Sequence, residues 1–201
     1  MRLLRRLFPR KSEVWRPFAE ELGGRYVEGS FWRGDRLEFT HSKNVVRFTA
    51  ERDHETGSWA TCVRSPIEVS RDVSISLMKN WPTQQFFNAW GLFDFLASVT
   101  NQQKTSLADL QIEGEGFLLS RGSEARLFET PELRTAISRQ TQLLLLVGEA
   151  RRNSFARAGK RPELALLVPR IISKTDQLSE LLQLHIQLTK TLCATRIIQK
   201  P

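Results

Sequence analysis

Two segments of the chain combine several basic residues with no acidic residue, and this chemistry suits the binding of anions. The first, residues 1–11, also carries large apolar side chains. It therefore has the composition of a short amphipathic helix at an anionic membrane surface, where each basic residue contributes about 1 kcal/mol. We predict that this segment, called the basic tip, contacts a membrane or a partner protein through Arg2, Leu3, Leu4, Arg5, Arg6, Leu7, Phe8, Arg10 and Lys11. The alternative is a frayed terminus, or a segment docked on its own domain or on a partner subunit.

The second basic segment covers residues 151–161 and contains one aromatic residue, Phe155. Interleaved basic and aromatic side chains can bind phosphates and stack on nucleic-acid bases. The same composition is found in a solvated hairpin tip, so both interpretations stay open. This segment, called the basic loop, is predicted to contact an anion or a partner through Arg151, Arg152, Arg157, Lys160 and Arg161.

Aromatic residues are concentrated in residues 86–95. They recur at helical spacing, which is typical of a helix buried against a sheet. The alternative is an exposed hydrophobic surface for a partner or an apolar ligand. If the segment is exposed, the predicted partner surface consists of Trp81, Phe86, Phe87 and Trp90.

Residues typical of catalysis are few. The chain has three histidines and two cysteines, and the cysteines lack CxxC spacing. His185 falls on an apolar helical stripe, which favours a core role, and Cys62 and Cys193 are predicted to be reduced thiols of a cytosolic protein. The sequence contains no HExxH, P-loop, GxGxxG or GxSxG motif. We predict no catalytic residue, no bound metal and no cofactor.

Composition is that of a folded protein with an uneven distribution of charge. The chain has 201 residues, 40% of them hydrophobic, and a net charge of +8. The basic tip carries more than half of this excess, so the remaining domain is only mildly basic. No stretch reaches the roughly 18 consecutive apolar residues of a membrane-spanning helix. We expect a cytoplasmic protein, peripheral on the inner face of a membrane if the tip binds lipid, and a targeting signal stays an alternative for the tip.

The N-terminal half predicts one helix followed by strands. Ser12 is a suitable N-cap, and Gly23–Gly24 is a suitable end for a helix that reaches Leu22. Alternating or β-rich patterns separated by turn residues then predict an antiparallel meander. Its strands are expected at 25–31, 36–40, 45–51, 59–69 and 73–78.

The C-terminal half predicts a mixture of strands and helices. A polar loop at 101–106 precedes short strands at 110–113 and 117–120 and helical structure over 123–139, with Thr130 as a cap before Pro131. Strands at 142–149 and 164–168 flank the basic loop. A long helix over 174–197 is expected to begin at Ser173 or Thr175 and to bury one stripe, which consists of Leu178, Leu181, Leu182, His185, Leu188 and Leu192.

This order of elements predicts an α+β fold, with an antiparallel sheet (meander plus hairpin), helices on one face and a long C-terminal helix. Residues 12–201 are expected to form a single domain, with a subdomain break near 101–106 as the alternative.

Two stretches, Trp15–Gly24 and Gln111–Ala125, resemble a family of uncharacterised bacterial proteins. The first is a helix that closes on a double glycine, and the second is a glycine-containing turn followed by a strand and a helix. Leu118 replaces the acidic residue usual after the phenylalanine. The resemblance implies the same α+β architecture and no activity.

The sequence thus predicts a non-enzymatic adaptor or accessory subunit that binds a membrane surface or a larger protein assembly. A nucleic-acid-associated protein that uses both basic segments is the first alternative. A small enzyme or apolar-ligand-binding protein is the second.

Overall fold

A computed structural model describes residues 11–29, 34–52, 59–69, 73–80, 103–120, 123–149 and 162–198. Its helices are α1 (Lys11–Glu21), a 3-10 helix (Ser123–Glu129), α2 (Pro131–Arg139) and α3 (Thr175–Ala194). Its strands are β1 (Arg25–Val27), β2 (Arg36–His41), β3 (Asn44–Arg52), β4 (Trp59–Pro66), β5 (Ser74–Lys79), β6 (Gln103–Ser106), β7 (Gly116–Ser120), β8 (Leu143–Glu149) and β9 (Pro162–Val168).

The nine described strands form one antiparallel sheet in the order β1-β2-β3-β4-β9-β8-β5-β7-β6. Strands β1–β4 are the first four strands of the predicted meander, but β5, predicted as its fifth strand, does not pair with β4. The β8–β9 hairpin is inserted between β4 and β5, so it joins the two parts of the sheet. The predicted α+β class, with an antiparallel sheet and a long C-terminal helix, is confirmed.

One face of the sheet carries the main hydrophobic core. A single cross-strand row through the middle of this face is apolar on seven successive strands, and its side chains are buried because the described helices cover them. The row consists of Leu37, Phe48, Val63, Leu166, Leu145, Leu77 and Leu118.

Helix α1 packs on this face through two aromatic side chains. The rings of Trp15 and Phe18 lie edge-on to Phe48, with centroids 6.4 and 5.8 Å away. The indole Nε1 of Trp15 donates a hydrogen bond to the carbonyl oxygen of Ile172 at 2.9 Å, so the buried polar atom is satisfied. These contacts fix the start of the domain against its C-terminal part.

The ends of the helices agree with the predictions in part. Gly23 ends α1 at a φ of 63°, and the amide of Gly24 donates to the carbonyl of Ala19 at 2.8 Å, as in a Schellman motif. Thr130 is the N-cap of α2, but its hydroxyl donates to the carbonyl of Leu127 instead of capping an amide.

The predicted cap of the C-terminal helix is wrong. Lys174 is the N-cap of α3, without a side-chain hydrogen bond, instead of Ser173 or Thr175. The predicted buried stripe is confirmed, because all six of its residues are buried.

Two predictions around the middle of the chain are wrong. Residues 103–106, expected in a polar loop, form strand β6, which pairs with β7. A polar strand is stable there because β6 is the outermost strand of the described sheet and packs little against the core. Residues 110–113, expected in a strand, form a turn that buries Leu110 and Ile112 and gives Gln111 a φ of 56°.

Candidate functional site

Most of the predicted contact residues lie outside the described residues. This holds for the basic tip up to Arg10, for all five residues of the basic loop, and for Trp81, Phe86, Phe87 and Trp90 of the aromatic segment. Their predicted roles stay predictions. Among the predicted contact residues, Lys11 is described, and it is the first residue of α1.

Lys11 is the last residue of the basic tip and the first residue of α1, and its side chain makes two contacts with the sheet. Its Nζ lies 3.2 Å from Oδ2 of Asp35 and 4.4 Å from the centroid of the Trp59 ring. The ion pair and the cation–π contact connect α1 to the residue just before β2 and to the start of β4. Helix α1 therefore begins at the end of the sheet where β2 and β4 begin.

His185 and Ser65 form a buried polar pair between α3 and β4. Oγ of Ser65 lies 3.0 Å from Nε2 of His185, and both side chains are buried. Burial, with a smaller contribution from His41, lowers the pKa of His185 to about 4. The imidazole is therefore neutral at pH 7 and serves as a satisfied core group, which is the role that the helical stripe predicts.

Cys62 lies on the opposite face of the sheet, within a cluster of charged side chains. Arg64 donates a hydrogen bond to Sγ of Cys62 at 3.4 Å. It also pairs with Glu51 and lies 4.0 Å from Glu163. Burial raises the pKa of Cys62 to about 12, so the thiol stays protonated at neutral pH and is a poor nucleophile.

The two glutamates of this cluster are also perturbed. Burial raises the pKa of Glu51 and of Glu163, and the charge of Arg64 opposes the shift in both. The hydroxyl of Thr49 donates to Oε1 of Glu51 at 2.7 Å, which provides a further partner for the buried carboxylate. The arrangement is a structural ion cluster with one shared cation between two acids.

Three arginines surround one carboxylate on the same face, nearer its edge. Nη2 of Arg25 donates to Oε2 of Glu38 at 2.7 Å, and Nε of Arg47 donates to Oε1 at 2.7 Å. Nε of Arg36 lies 3.3 Å from Oε1. Partial burial alone raises the pKa of Glu38, but the three arginines outweigh burial and lower it overall.

The registers of the strands connect these groups. Arg25, Glu38, Arg47 and Arg64 are successive Cα partners across β1–β4, so they form one charged row. This row is not predicted from the sequence pattern. Alternating side chains in β2 and β3 put charged residues on the face opposite to Leu37 and Phe48. The strand register is needed to show that these charged residues are cross-strand neighbours.

A groove of about 540 Å³ lies between α2 and α3. Its lining combines charged side chains such as Glu132 and Arg139 with apolar ones such as Leu184, and contains no His or Cys. No group of three His, Cys, Asp or Glu side chains suited to a metal ion occurs within the described ranges. None of the described helices combines the length and apolar composition needed to cross a bilayer.

Comparison with known proteins gives a match in fold. No protein-family model matches the chain, and no curated protein is detectably similar to it in sequence. One solved structure with a similar fold is that of the mycobacterial trehalose monomycolate transport factor A, TtfA, with a TM-score of 0.55 and 12% sequence identity. The alignment covers 90% of this chain and 94% of TtfA. The likeness concerns the fold, and the resemblance to an uncharacterised bacterial family is unconfirmed.

Proposed function

We propose that this protein is a non-enzymatic accessory factor of a membrane-associated assembly, held at the membrane or at a membrane protein by the basic tip. The observation that carries the proposal is the similarity in fold to a protein named as a transport factor, which extends over nearly the whole of both chains. An accessory factor acts by binding, and the chemistry of the described residues is consistent with such a role.

The two side chains with the strongest potential for catalysis support the non-enzymatic part of the proposal. Cys62 is fully buried and protonated, and His185 is buried against Ser65. A substrate has no access to either group in this conformation. A catalytic nucleophile or base needs such access.

The position of Lys11 supports the membrane part of the proposal. Because Lys11 is paired with Asp35 and covers Trp59, the tip starts from a fixed point. A tip attached in this way transmits its binding to the whole domain. Its arginines at positions 2, 5, 6 and 10 carry the remaining positive charge.

The experiment is co-sedimentation of the full chain with vesicles of phosphatidylcholine, with and without phosphatidylserine. Replacing Arg2, Arg5 and Arg6 by Gln removes about 3 kcal/mol of surface attraction, which corresponds to a loss of affinity of roughly a hundredfold. The matched control replaces Arg151, Arg152 and Arg157 by Gln, which removes the same charge from the basic loop.

We expect the tip variant alone to lose binding to vesicles that contain phosphatidylserine. If both variants lose binding equally, net charge drives the association and the assignment to the tip is wrong. If neither variant changes binding, the tip has no role at the membrane. Lys11→Gln is expected to have a smaller effect than Arg5→Gln, because Lys11 already has partners within the domain.

A further inference from the structure

We propose that the exposed face of strands β1–β3 binds an acidic protein segment in extended conformation. This surface, called the arginine face, consists of Arg25, Val27, Arg36, Val45 and Arg47 around the carboxylate of Glu38. It is separate from the basic tip, so the inference goes beyond the proposed function and does not depend on it.

The charge of the arginine face is unbalanced. The carboxylate of Glu38 pairs with all three guanidinium groups, which leaves a local excess of two positive charges. The Glu38 side chain is only 10% exposed, whereas those of Arg25, Arg36 and Arg47 are 71%, 43% and 46% exposed. Each guanidinium has five N–H donors, so donors remain for a second carboxylate.

Glu38 also holds the guanidinium groups in place. Arg25 donates to Oε2 from both Nε and Nη2, at 3.1 and 2.7 Å. Arg47 is held on the other oxygen. An arginine that is already oriented loses less side-chain entropy when it binds a ligand, and its planar fork matches a carboxylate. The arginine face is therefore organised before a partner arrives.

The arginine face also carries exposed apolar side chains. Among the described residues, the large hydrophobic side chains exposed to solvent are Val27 and Val45, each at 38%. Val27 is the cross-strand partner of Arg36, and Val45 precedes Arg47 by two positions on the same face of β3. A partner that supplies both carboxylates and apolar side chains matches this combination.

The geometry favours a protein segment over a lipid surface. Side chains that bind a bilayer have to reach about 5–10 Å into the interface. The valines are shorter than the arginines beside them, so they are recessed within the arginine face. Side chains two residues apart in an extended peptide share one face, so an apolar side chain can enter such a recess while acidic side chains two positions away pair with the arginines.

The arginine face and helix α1 lie on opposite sides of the sheet. Helix α1, which continues from the tip, packs through Trp15 and Phe18 on the face that carries Phe48. Phe48 and Arg47 are adjacent in β3, so their side chains lie on opposite faces. Separate variants can therefore distinguish binding at the two surfaces.

The test is a fluorescence-anisotropy titration of the full chain with a labelled peptide of repeated Glu-Ser-Val-Ser, in which Glu and Val share one face of the extended chain. A peptide of repeated Lys-Ser-Val-Ser is the charge-reversed control. Arg25→Gln combined with Arg47→Gln is expected to weaken binding of the acidic peptide by about tenfold or more. Arg126→Gln combined with Arg139→Gln removes the same charge from exposed positions elsewhere and is expected to change binding by less than about twofold.

Two further variants keep the test decisive if loss of Arg25 and Arg47 destabilises the fold. Glu38→Gln adds one positive charge to the arginine face, and its amide oxygen can still accept a hydrogen bond that orients an arginine. The gain in charge is expected to outweigh the weaker orientation and to strengthen binding severalfold. Val27→Glu combined with Val45→Glu leaves every arginine pair of Glu38 in place and is expected to weaken binding by about tenfold through repulsion. Circular dichroism of each variant establishes that it is folded.

Three results would overturn the inference. The first is equal weakening by the Arg126 and Arg139 substitutions, which would assign binding to net charge. The second is weaker binding after Glu38→Gln. The third is loss of binding to phosphatidylserine vesicles in the Arg25 and Arg47 variant with unchanged binding of the acidic peptide, which would assign the surface to lipid.

Discussion

Oγ of Ser65 lies 3.0 Å from Nε2 of His185, and this hydrogen bond joins the middle of the sheet to the long C-terminal helix. Both residues are buried, and burial lowers the pKa of the imidazole to about 4. The folded protein therefore takes up a proton at His185 much less readily than the unfolded chain. Its stability has to depend on pH as a result.

We expect the free energy of unfolding to decrease as the pH falls from 6.5 towards 4. The unfolded chain protonates His185 near its ordinary pKa of 6.5, whereas the folded protein does so near 4, so acid favours unfolding in this window. The complete loss is about 3 kcal/mol. Urea unfolding at about pH 7 and about pH 5 measures the part of this loss that falls between the two pH values, which is about 2 kcal/mol.

His185→Gln is the control for this pH dependence, because it removes the titrating group and keeps a hydrogen-bonding side chain near Ser65. The variant should lose much less stability between the two pH values than the native chain. An identical loss in both proteins would show that other groups titrate in this window and that His185 does not.

Arg64→Met is expected to destabilise the protein most at neutral pH. The substitution leaves Glu51 and Glu163 without their shared cation, and loss of one partner from a buried ion pair costs about 3–5 kcal/mol. Both glutamates are partly exposed and Arg47 still acts on Glu163, so the cost here should lie at or below about 3 kcal/mol. Burial already raises the pKa of both glutamates, so mild acid protonates them and removes the penalty. The difference in unfolding free energy from the native chain should therefore shrink between about pH 7 and about pH 5.

The control for Arg64 is Arg139→Met, which changes an exposed arginine on α2. It should change stability by less than about 0.5 kcal/mol at either pH. A penalty for Arg64→Met that is the same at both pH values would mean that lost packing, and not unpaired charge, destabilises the variant.

Lys79→Met is expected to loosen the end of α2. Nζ of Lys79 donates to the carbonyl oxygens of Ile137 and Ser138, at 3.1 and 2.7 Å, and thereby caps the helix from strand β5. Loss of both bonds leaves two carbonyl groups without this donor and should cost about 2 kcal/mol. Urea unfolding measures the cost, and hydrogen exchange at the amide of Gln140 reports the helix end.

Lys104→Met is the matched control for Lys79. Lys104 is exposed and covers the ring of Phe117 at 4.3 Å, a contact worth about 0.5–1 kcal/mol. Faster exchange at Gln140 is expected only for the Lys79 variant. Equal destabilisation by the two substitutions would contradict the capping role of Lys79.

Gly148→Ala is expected to destabilise the sheet more than Gly23→Ala. Both glycines have a positive φ, 132° and 63°, which disfavours any L side chain. A Cβ at position 148 would collide with the carbonyl oxygen of Val73, whereas a Cβ at position 23 would have no neighbour within 4 Å. We expect costs of about 3 kcal/mol and about 1 kcal/mol, measured by thermal unfolding; similar costs would show that the backbone near Val73 moves easily.

The spacing of apolar residues along the sequence predicts the central strands and the C-terminal helix, because each of these elements buries a regular set of side chains. Phe48 lies on a strand in which buried and more exposed residues alternate, Val63 lies within a run of buried residues, and Leu178 lies on a helical stripe. Strand β6 has no such set, because Gln103 and Lys104 are exposed and the strand is stabilised by backbone pairing with β7. The residues of β6 do not indicate that β7 is the strand with which it pairs.

The charged groups on the second face were missed for a related reason. Arg25, Glu38 and Arg47 are ordinary surface residues when each is considered with its sequence neighbours. They form a cluster only because the registers of β1, β2 and β3 make them successive partners. A long-range pairing therefore creates the arginine face, whereas the basic tip is recognisable from composition alone.

The insertion of the β8–β9 hairpin between β4 and β5 determines when the sheet can be completed during synthesis. Until β9 has left the ribosome, β4 lacks one of its two neighbours, and unpaired strand edges are prone to aggregate. Pairing between strands so distant in sequence is also intrinsically slow. The nascent chain consequently stays incompletely folded until nearly the whole protein has been made, and a translation product that stops before β8 contains two separate half-sheets with open edges.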